Sequence, residues 1–469
     1  MDYATLKALK PSEFQDAADG FRSTSDMASA AKDRIDNQIS AAMRKTLAGE
    51  AANEALKQLN KLSADFHYTQ TECGLVSTAL NGFAYDIEAA KRKLDGAIED
   101  AHAAKFTVNA DGSVTYPAAG EETDGELPKG GTTHGATDKT SAALHRQAAH
   151  FNPNPNRTRA QDIADRIAEA LKEATEADEK WAPKLRALKA DDDLTVSARD
   201  WDDVRKDTGG VRTAAKDYLS TIKPPPPKFR GPEENADWWK HLTAEQRADY
   251  VTMYPASVGA LDGLPADVRD EANRVVFAES RAHAQLKLDD WMNKEPPRYR
   301  PYIDPMTGTV VRGTQVETHE WREWNEKRHE LKAPLDGMNA IQKRFDMTGE
   351  KGLPEAYLLG FNADANGHDG RVILANGNPD TADHIAVYVP GTGTNLGGID
   401  TDLTRGQSLW AESASKVPGQ QVSTITWFDY DAPRSAYPGD KGDAIPEAMH
   451  DSYAEKGGPT LRQFMDGTR

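Results

Sequence analysis

The residues best placed for chemistry lie in a glycine-rich run, Pro390-Gly-Thr-Gly-Thr-Asn-Leu-Gly-Gly398. It follows His384-Ile-Ala-Val-Tyr-Val389, which is continuously apolar after the histidine. Such a run predicts a strand buried on both faces, as in a parallel sheet covered by helices. Glycines leaving a buried strand let backbone N–H groups turn toward a ligand. Gly391, Thr392, Gly393 and Thr394 could therefore hold a developing oxyanion or a phosphate. The plainer reading of the same residues is a strand-to-helix connection.

Other reactive side chains form weaker patterns. Asp364, Asn366 and Asp369 suggest a calcium loop, but Ala375 stands where the closing acidic ligand belongs. His134, His145 and His150 fall in or near a polar stretch without fixed ligand spacing, so solvated histidines are the plainer reading and no metal is expected. No cofactor is expected either. The single cysteine, Cys73, allows no internal disulfide and no multi-cysteine zinc site. His450 and Ser452 are two apart, which on a helix points them to different sides. No G-x-S-x-G occurs anywhere; Pro255-Ala-Ser-Val-Gly259 lacks the first glycine and lies between helical stretches.

These candidates need elements to hold them. Tyr357-Leu-Leu-Gly-Phe361 and Arg371-Val-Ile-Leu-Ala375 predict two strands joined by a turn. Val422-Ser-Thr-Ile-Thr-Trp427 predicts another, expected at an exposed sheet edge. Helix-like segments follow the glycine loop (Leu403, Leu409, Trp410) and span Ala448 to Met465. Strand, loop, helix, strand, loop, helix is α/β order. Upstream, the pattern is helical. Ile35, Ile39, Met43 and Leu47, extended by Leu56 to Phe66, form one stripe, and Leu75 to Ile98 a second. Two long antiparallel helices are the simplest fold for them. Ser12 with Gln15, and Thr243 with Gln246, fit capping boxes. Asp111-Gly112 between apolar runs predicts a hairpin over 106–116.

The expected organisation follows. Residues 1–118 form a helical hairpin with a closing β-hairpin, 119–155 a flexible loop, and 156–222 further helices. Residues 223–228 are a proline-rich linker, 229–350 a helical connector, and 351–469 the first half of an α/β domain with a doubly wound, mostly parallel sheet. Among 469 residues the net charge is −18, which disfavours nucleic acid as a partner. No stretch approaches the apolar length of a membrane span, and Met1-Asp-Tyr-Ala-Thr-Leu-Lys lacks the marks of a cleavable secretory signal. A cytoplasmic location is the default expectation, with export lacking such a signal as the alternative.

The quoted runs Val387-Tyr-Val-Pro-Gly-Thr-Gly-Thr394 and Thr426-Trp427 with Tyr430-Asp-Ala-Pro433 resemble an actinobacterial α/β-hydrolase family of uncharacterised function. Trp238-Trp239, Leu261-Asp-Gly-Leu-Pro265 and Arg269-Asp-Glu-Ala-Asn-Arg274 extend the resemblance over about 235–469. It implies a serine hydrolase acting on a small-molecule, peptide or ester substrate through an acyl-serine. It implies one oxyanion donor from Gly391–Thr394 and a Gly-His-Ser-Tyr-Gly elbow after the next strand. The chain reads as ending before that elbow, so it is expected to be inactive alone unless a partner chain supplies the rest. Residues 1–220 resemble, loosely, helical hairpins exported by type VII secretion, although no Trp-Xaa-Gly occurs in the first 200 residues. A non-catalytic helical scaffold, or an exported toxin-like protein, is the alternative to the hydrolase.

Overall fold

The computed structural model describes residues 1–122, 126–189, 195–226, 231–365, 369–437 and 445–468. The end of the expected proline-rich linker (227–228) and Asn366 of the calcium-loop pattern lie outside the described residues. The chain clusters into two compact units. One comprises 1–24, 73–191 and 209–222; the other comprises 25–72, 192–208 and 223–469.

The first unit is mainly helical. Its long elements are the 73–103 portion of helix α1 (Glu50–Ala103) and helix α2 (Asn156–Ala187). Alanines 79, 90, 160, 164 and 174 are buried here, and side-chain bonds tie the two helices together. Trp181 Nε1 donates to Asp86 (2.7 Å), and Lys93 pairs with Glu173 (2.6 Å). The hairpin forms as expected, with β1 (Thr107–Val108) antiparallel to β2 (Val114–Tyr116). A third strand, β3 (Gly131–Thr133), pairs with β2. With the helix Lys139–His150, capped by Asp138, it places regular structure inside the expected loop 119–155. The reason is local: an aspartate cap and an alanine-containing run suffice for a helix despite the polar composition.

The helical boundaries differ from the expected pair. Helix runs from Pro11 to Thr46, breaks around Gly49 (φ +104°), and resumes unbroken to Ala103. The stripe 56–66 therefore belongs with the stripe 75–98, because no residue between them stops a helix whereas Gly49 does. Pro11 takes the first helical position, so Ser12 sits within the first turn rather than at the cap. Thr243 and Gln246 do form the expected capping box.

The second unit carries a two-stranded and a four-stranded sheet. Its first strands, β4 (Tyr299–Ile303) and β5 (Val310–Glu317), form a separate exposed hairpin between helices α3 (Ala266–Met292) and α4 (His319–Asp346). Then follow β6 (Ala356–Asn362), β7 (Arg371–Asn376), β8 (His384–Tyr388) and β9 (Val422–Phe428) in the spatial order β6-β7-β9-β8. The short connection makes β6 and β7 antiparallel, β7 and β9 are antiparallel, and β8 and β9 are parallel across helix α5 (Asp400–Lys416). The parallel character is thus confined to the crossover pair.

Alternate residues feed two cores. Leu358, Val372, Leu374 and Phe428 face Phe277 of α3, Met338 and Ile341 of α4, and Leu403 of α5. Leu359, Ile373, Ala375, Ile425 and Trp427 face Ala266 of α3 and Phe464 of helix α6 (Ser452–Asp466). Each fully buried aliphatic or aromatic side chain contributes roughly 1.5–3 kcal/mol. The edges correct the expectation from sequence. β9 is interior and buried throughout, whereas β8 is at the edge and only half-buried. Returning through α5 inserts β9 between β7 and β8, which a linear reading of apolar runs does not reveal.

Candidate functional site

The glycine loop leaves the C-terminal end of β8 at the open edge of the sheet. Its backbone is folded back on itself. Gly393 (φ +84°) donates its N–H to Pro433 O at 2.7 Å. Thr394 donates its N–H (3.3 Å) and its hydroxyl (2.8 Å) to Gly391 O. Asn395 donates its amide to Gly393 O (3.1 Å) and accepts the Gly398 N–H (3.1 Å) through its side-chain oxygen. Leu396 N–H reaches Asp369 O at 2.6 Å. Of the four residues singled out in sequence, Gly393 and Thr394 spend their amides on loop geometry. The N–H groups of Gly391 and Thr392 have no hydrogen-bond partner among the described residues, and both residues are exposed.

A polar group that sequence did not single out holds this loop. Tyr388, the last residue of β8, donates its hydroxyl to Asp402 Oδ1 at 2.8 Å. Arg405, one turn along α5, reaches the same carboxylate oxygen and the Tyr388 hydroxyl, each at 3.1 Å. The Thr394 hydroxyl lies 3.5 Å from Asp402 Oδ2. Burial and the Asp402 bond together push the Tyr388 phenol above its ordinary range. From the other side, Tyr430 donates to Pro390 O at 2.5 Å while stacked 6.0 Å from Trp427. The loop is thereby tied to β8, α5 and the segment after β9. The i, i+3 spacing of Asp402 and Arg405 was the available signal, and it reads as an ordinary helix-surface pair.

The scaffold explains the upstream residues. Gly337 of α4 has no room for a side chain: a Cβ there would lie 1.8 Å from Leu396 O. Trp238 Nε1 and the Tyr250 hydroxyl both donate to Lys223 O, at 3.0 and 2.8 Å. Asp270, Asn273 and Arg274 serve β6. Asp270 accepts the Leu358 N–H (2.6 Å), Asn273 donates to Leu358 O (2.9 Å), and Arg274 donates to Ala356 O (2.8 Å).

The remaining candidates do not converge. Ser257 is exposed on the short helix Pro255–Gly259, and His450 and Ser452 are exposed at the start of α6. His134 is exposed, 3.5 Å from Asp111. Cys73 is half-buried within α1. Among the described residues no group of three or more His, Cys, Asp or Glu is placed to hold a metal, and no helix is long and apolar enough to cross a membrane.

Comparison with known proteins agrees with this architecture. The chain is 29% identical over 214 residues to two uncharacterised proteins of Mycobacterium tuberculosis, MT2140 of strain CDC 1551 and Rv2079 of strain H37Rv. The matched stretch covers 45% of this chain and only 30% of each relative. No solved structure matches significantly. A helical N-terminal region thus precedes a sheet-containing C-terminal region, and within the latter the sequence profile of an α/β-hydrolase family matches residues 364–469.

Proposed function

We propose that residues 351–469 are the N-terminal half of an α/β-hydrolase domain, and that the complete protein hydrolyses an ester or amide through an acyl-serine. The observation that carries this reading is the order β6-β7-β9-β8 with a glycine loop leaving β8. In this reading Gly391–Thr394 is the oxyanion loop. The amide of Thr392, or that of Gly391, faces the carbonyl oxygen as it gains charge, while Gly393 and Thr394 fix the loop's shape. Such a donor acts because it is already oriented and needs no reorganisation during reaction. The second donor is the amide following the nucleophile, and a serine activated by histidine forms the acyl intermediate. Neither belongs to any G-x-S-x-G in these 469 residues. The substrate is a small molecule, peptide or ester, and the elbow comes from further sequence or from a partner chain.

The test uses a fluorophosphonate probe and a generic aryl ester. This chain alone should show neither labelling nor turnover; robust labelling of the chain overturns the assignment of the nucleophile elsewhere. Adding a polypeptide that carries a further strand and a G-x-S-x-G elbow should restore turnover. Thr392→Pro, which removes one N–H, should then lower kcat by about 10²–10³ if Thr392 is the donor. Undiminished kcat in both Thr392→Pro and Gly391→Pro would remove the loop from the mechanism.

A further inference from the structure

A cavity of about 270 Å³ lies away from the glycine loop and shares no residue with it. Every residue lining it belongs to the second unit. Four cationic side chains (Lys32, Arg44, Arg274 and Arg281) and two carboxylates (Asp36 and Asp346) face it. That is an excess of positive charge in a chain whose net charge is −18.

The arginines differ in how they are satisfied. Arg274 is paired with Asp270 at 2.6 Å and lies 3.9 Å over the Phe345 ring. Arg44, half-buried, donates among the described residues only to Thr348 O (3.0 Å) and Asn60 (3.4 Å). Arg281, at the mouth, donates to Asn339 (3.0 Å). Neither Arg44 nor Arg281 has a carboxylate within ion-pair distance among the described residues. Burial pulls both guanidinium groups below their ordinary range, and Asp346 is the first charge acting against that pull in each. Two guanidinium groups are thus held at one cavity with spare donors and no full counter-charge. For half-buried Arg44, removing a charge from water without pairing it is unfavourable, and a bound oxyanion relieves that cost, while exposed Arg281 at the mouth supplies a second donor.

The rest of the wall mixes polar side chains with apolar ones, among them large aromatic rings. Trp201, whose ring lies 4.8 Å from that of His67, and Phe345 line the cavity. Backbone irregularity adds a further observation. The helix carrying Asp36 widens into a π-helix over Arg34–Ser40, a form that is rare and concentrated at functional sites.

We propose that this cavity binds a small organic anion, a carboxylate or phosphate ester with a planar apolar body. Its oxyanion bridges Arg44 and Arg281, and its body rests against Trp201 and Phe345. The chemistry is common to carboxylates and phosphate esters, so the experiment separates them. Full-length protein is titrated calorimetrically with benzoate, phenyl phosphate, neutral benzamide and inorganic phosphate. Benzoate or phenyl phosphate should bind saturably, and tighter than benzamide and inorganic phosphate by about tenfold or more. Arg44→Gln and Arg281→Gln should each weaken that binding by about tenfold, and Arg281→Lys by less. Arg281 is at the mouth, so its variants test the proposal even if Arg44→Gln fails to fold. Absence of binding by both organic anions, equal binding of benzamide, or unchanged affinity in Arg281→Gln overturns the proposal.

Discussion

At the scale of single residues, the second unit depends on a few polar side chains that finish what the backbone leaves open. β6 is an outer strand, and an outer strand presents unpaired N–H and C=O groups. Asp270 and Asn273 from α3 satisfy both backbone groups of Leu358. Asp270 also pairs with Arg274 at 2.6 Å, and it is 8% exposed. Removing its carboxylate would leave a buried amide and a buried guanidinium short of partners. Breaking such a buried pair costs about 3–5 kcal/mol, far more than a surface change. Asp270→Ala should therefore lower unfolding stability by about 3 kcal/mol or more, read as a lower urea midpoint at unchanged slope. A loss below about 1 kcal/mol would show that α3 does not close this edge. Sequence inspection marked Arg269-Asp-Glu-Ala-Asn-Arg274 only as a resemblance. Its physical role needed the strand it serves, 82–88 residues away along the chain.

At the scale of elements, the two sheet edges are treated differently. One is closed by α3. At the other, β8 pairs with β9 alone among the described strands, and Ile385 and Val389 are 39% and 38% exposed. The strand positions and the turn between β6 and β7 were legible, because apolar runs bounded by Gly, Asn and Asp register directly in composition. The glycine loop was legible for the same reason. Strand order was not, since the more continuously apolar run, β8, lies at the edge, while β9, with Ser423, Thr424 and Thr426, lies inside, and only the crossover decides which is which. An apolar, half-exposed edge strand is a template for association. Ile385→Lys should reduce concentration-dependent self-association in sedimentation velocity while changing stability by no more than about 0.5 kcal/mol. Identical association of the variant and the parent chain would remove β8 as the sticky edge.

At the scale of the whole molecule, the excess of acid over base does not all reside on the surface. Glu72 is buried, and burial first, then the nearby Asp207 and Asp203, raises its carboxyl to about 8. Glu271 reaches the surface, and its carboxyl is raised to about 7, with partial desolvation as the first cause and the 2.7 Å hydrogen bond from Gln70 opposing it. Both begin from an ordinary value of 4.5, so the folded state holds protons that the unfolded state has already released. Stability must then fall as pH climbs from about 4.5 to about 8, the reverse of the usual paired carboxylate. Asp202 is the usual kind: hydrogen bonds from Arg205 and Lys206 hold it down to about 2, so its contribution disappears only in strong acid. Each tenfold difference in proton affinity between the folded and unfolded states is worth roughly 1.4 kcal/mol, so the buried Glu72 contributes on the order of 4 kcal/mol of lost stability by pH 8, and Glu271, whose side chain is exposed and screened by solvent, contributes less. Urea unfolding at pH 5 and pH 8 should show the parent chain clearly less stable at the higher pH. Glu72→Gln keeps the neutral form at both, so the gap should narrow by about 3 kcal/mol, and Glu271→Gln should narrow it further by a smaller amount. An unchanged gap in both variants would mean that these carboxyl groups ionise in the folded protein as freely as in the unfolded chain, and that their burial in the folded state is relieved by water.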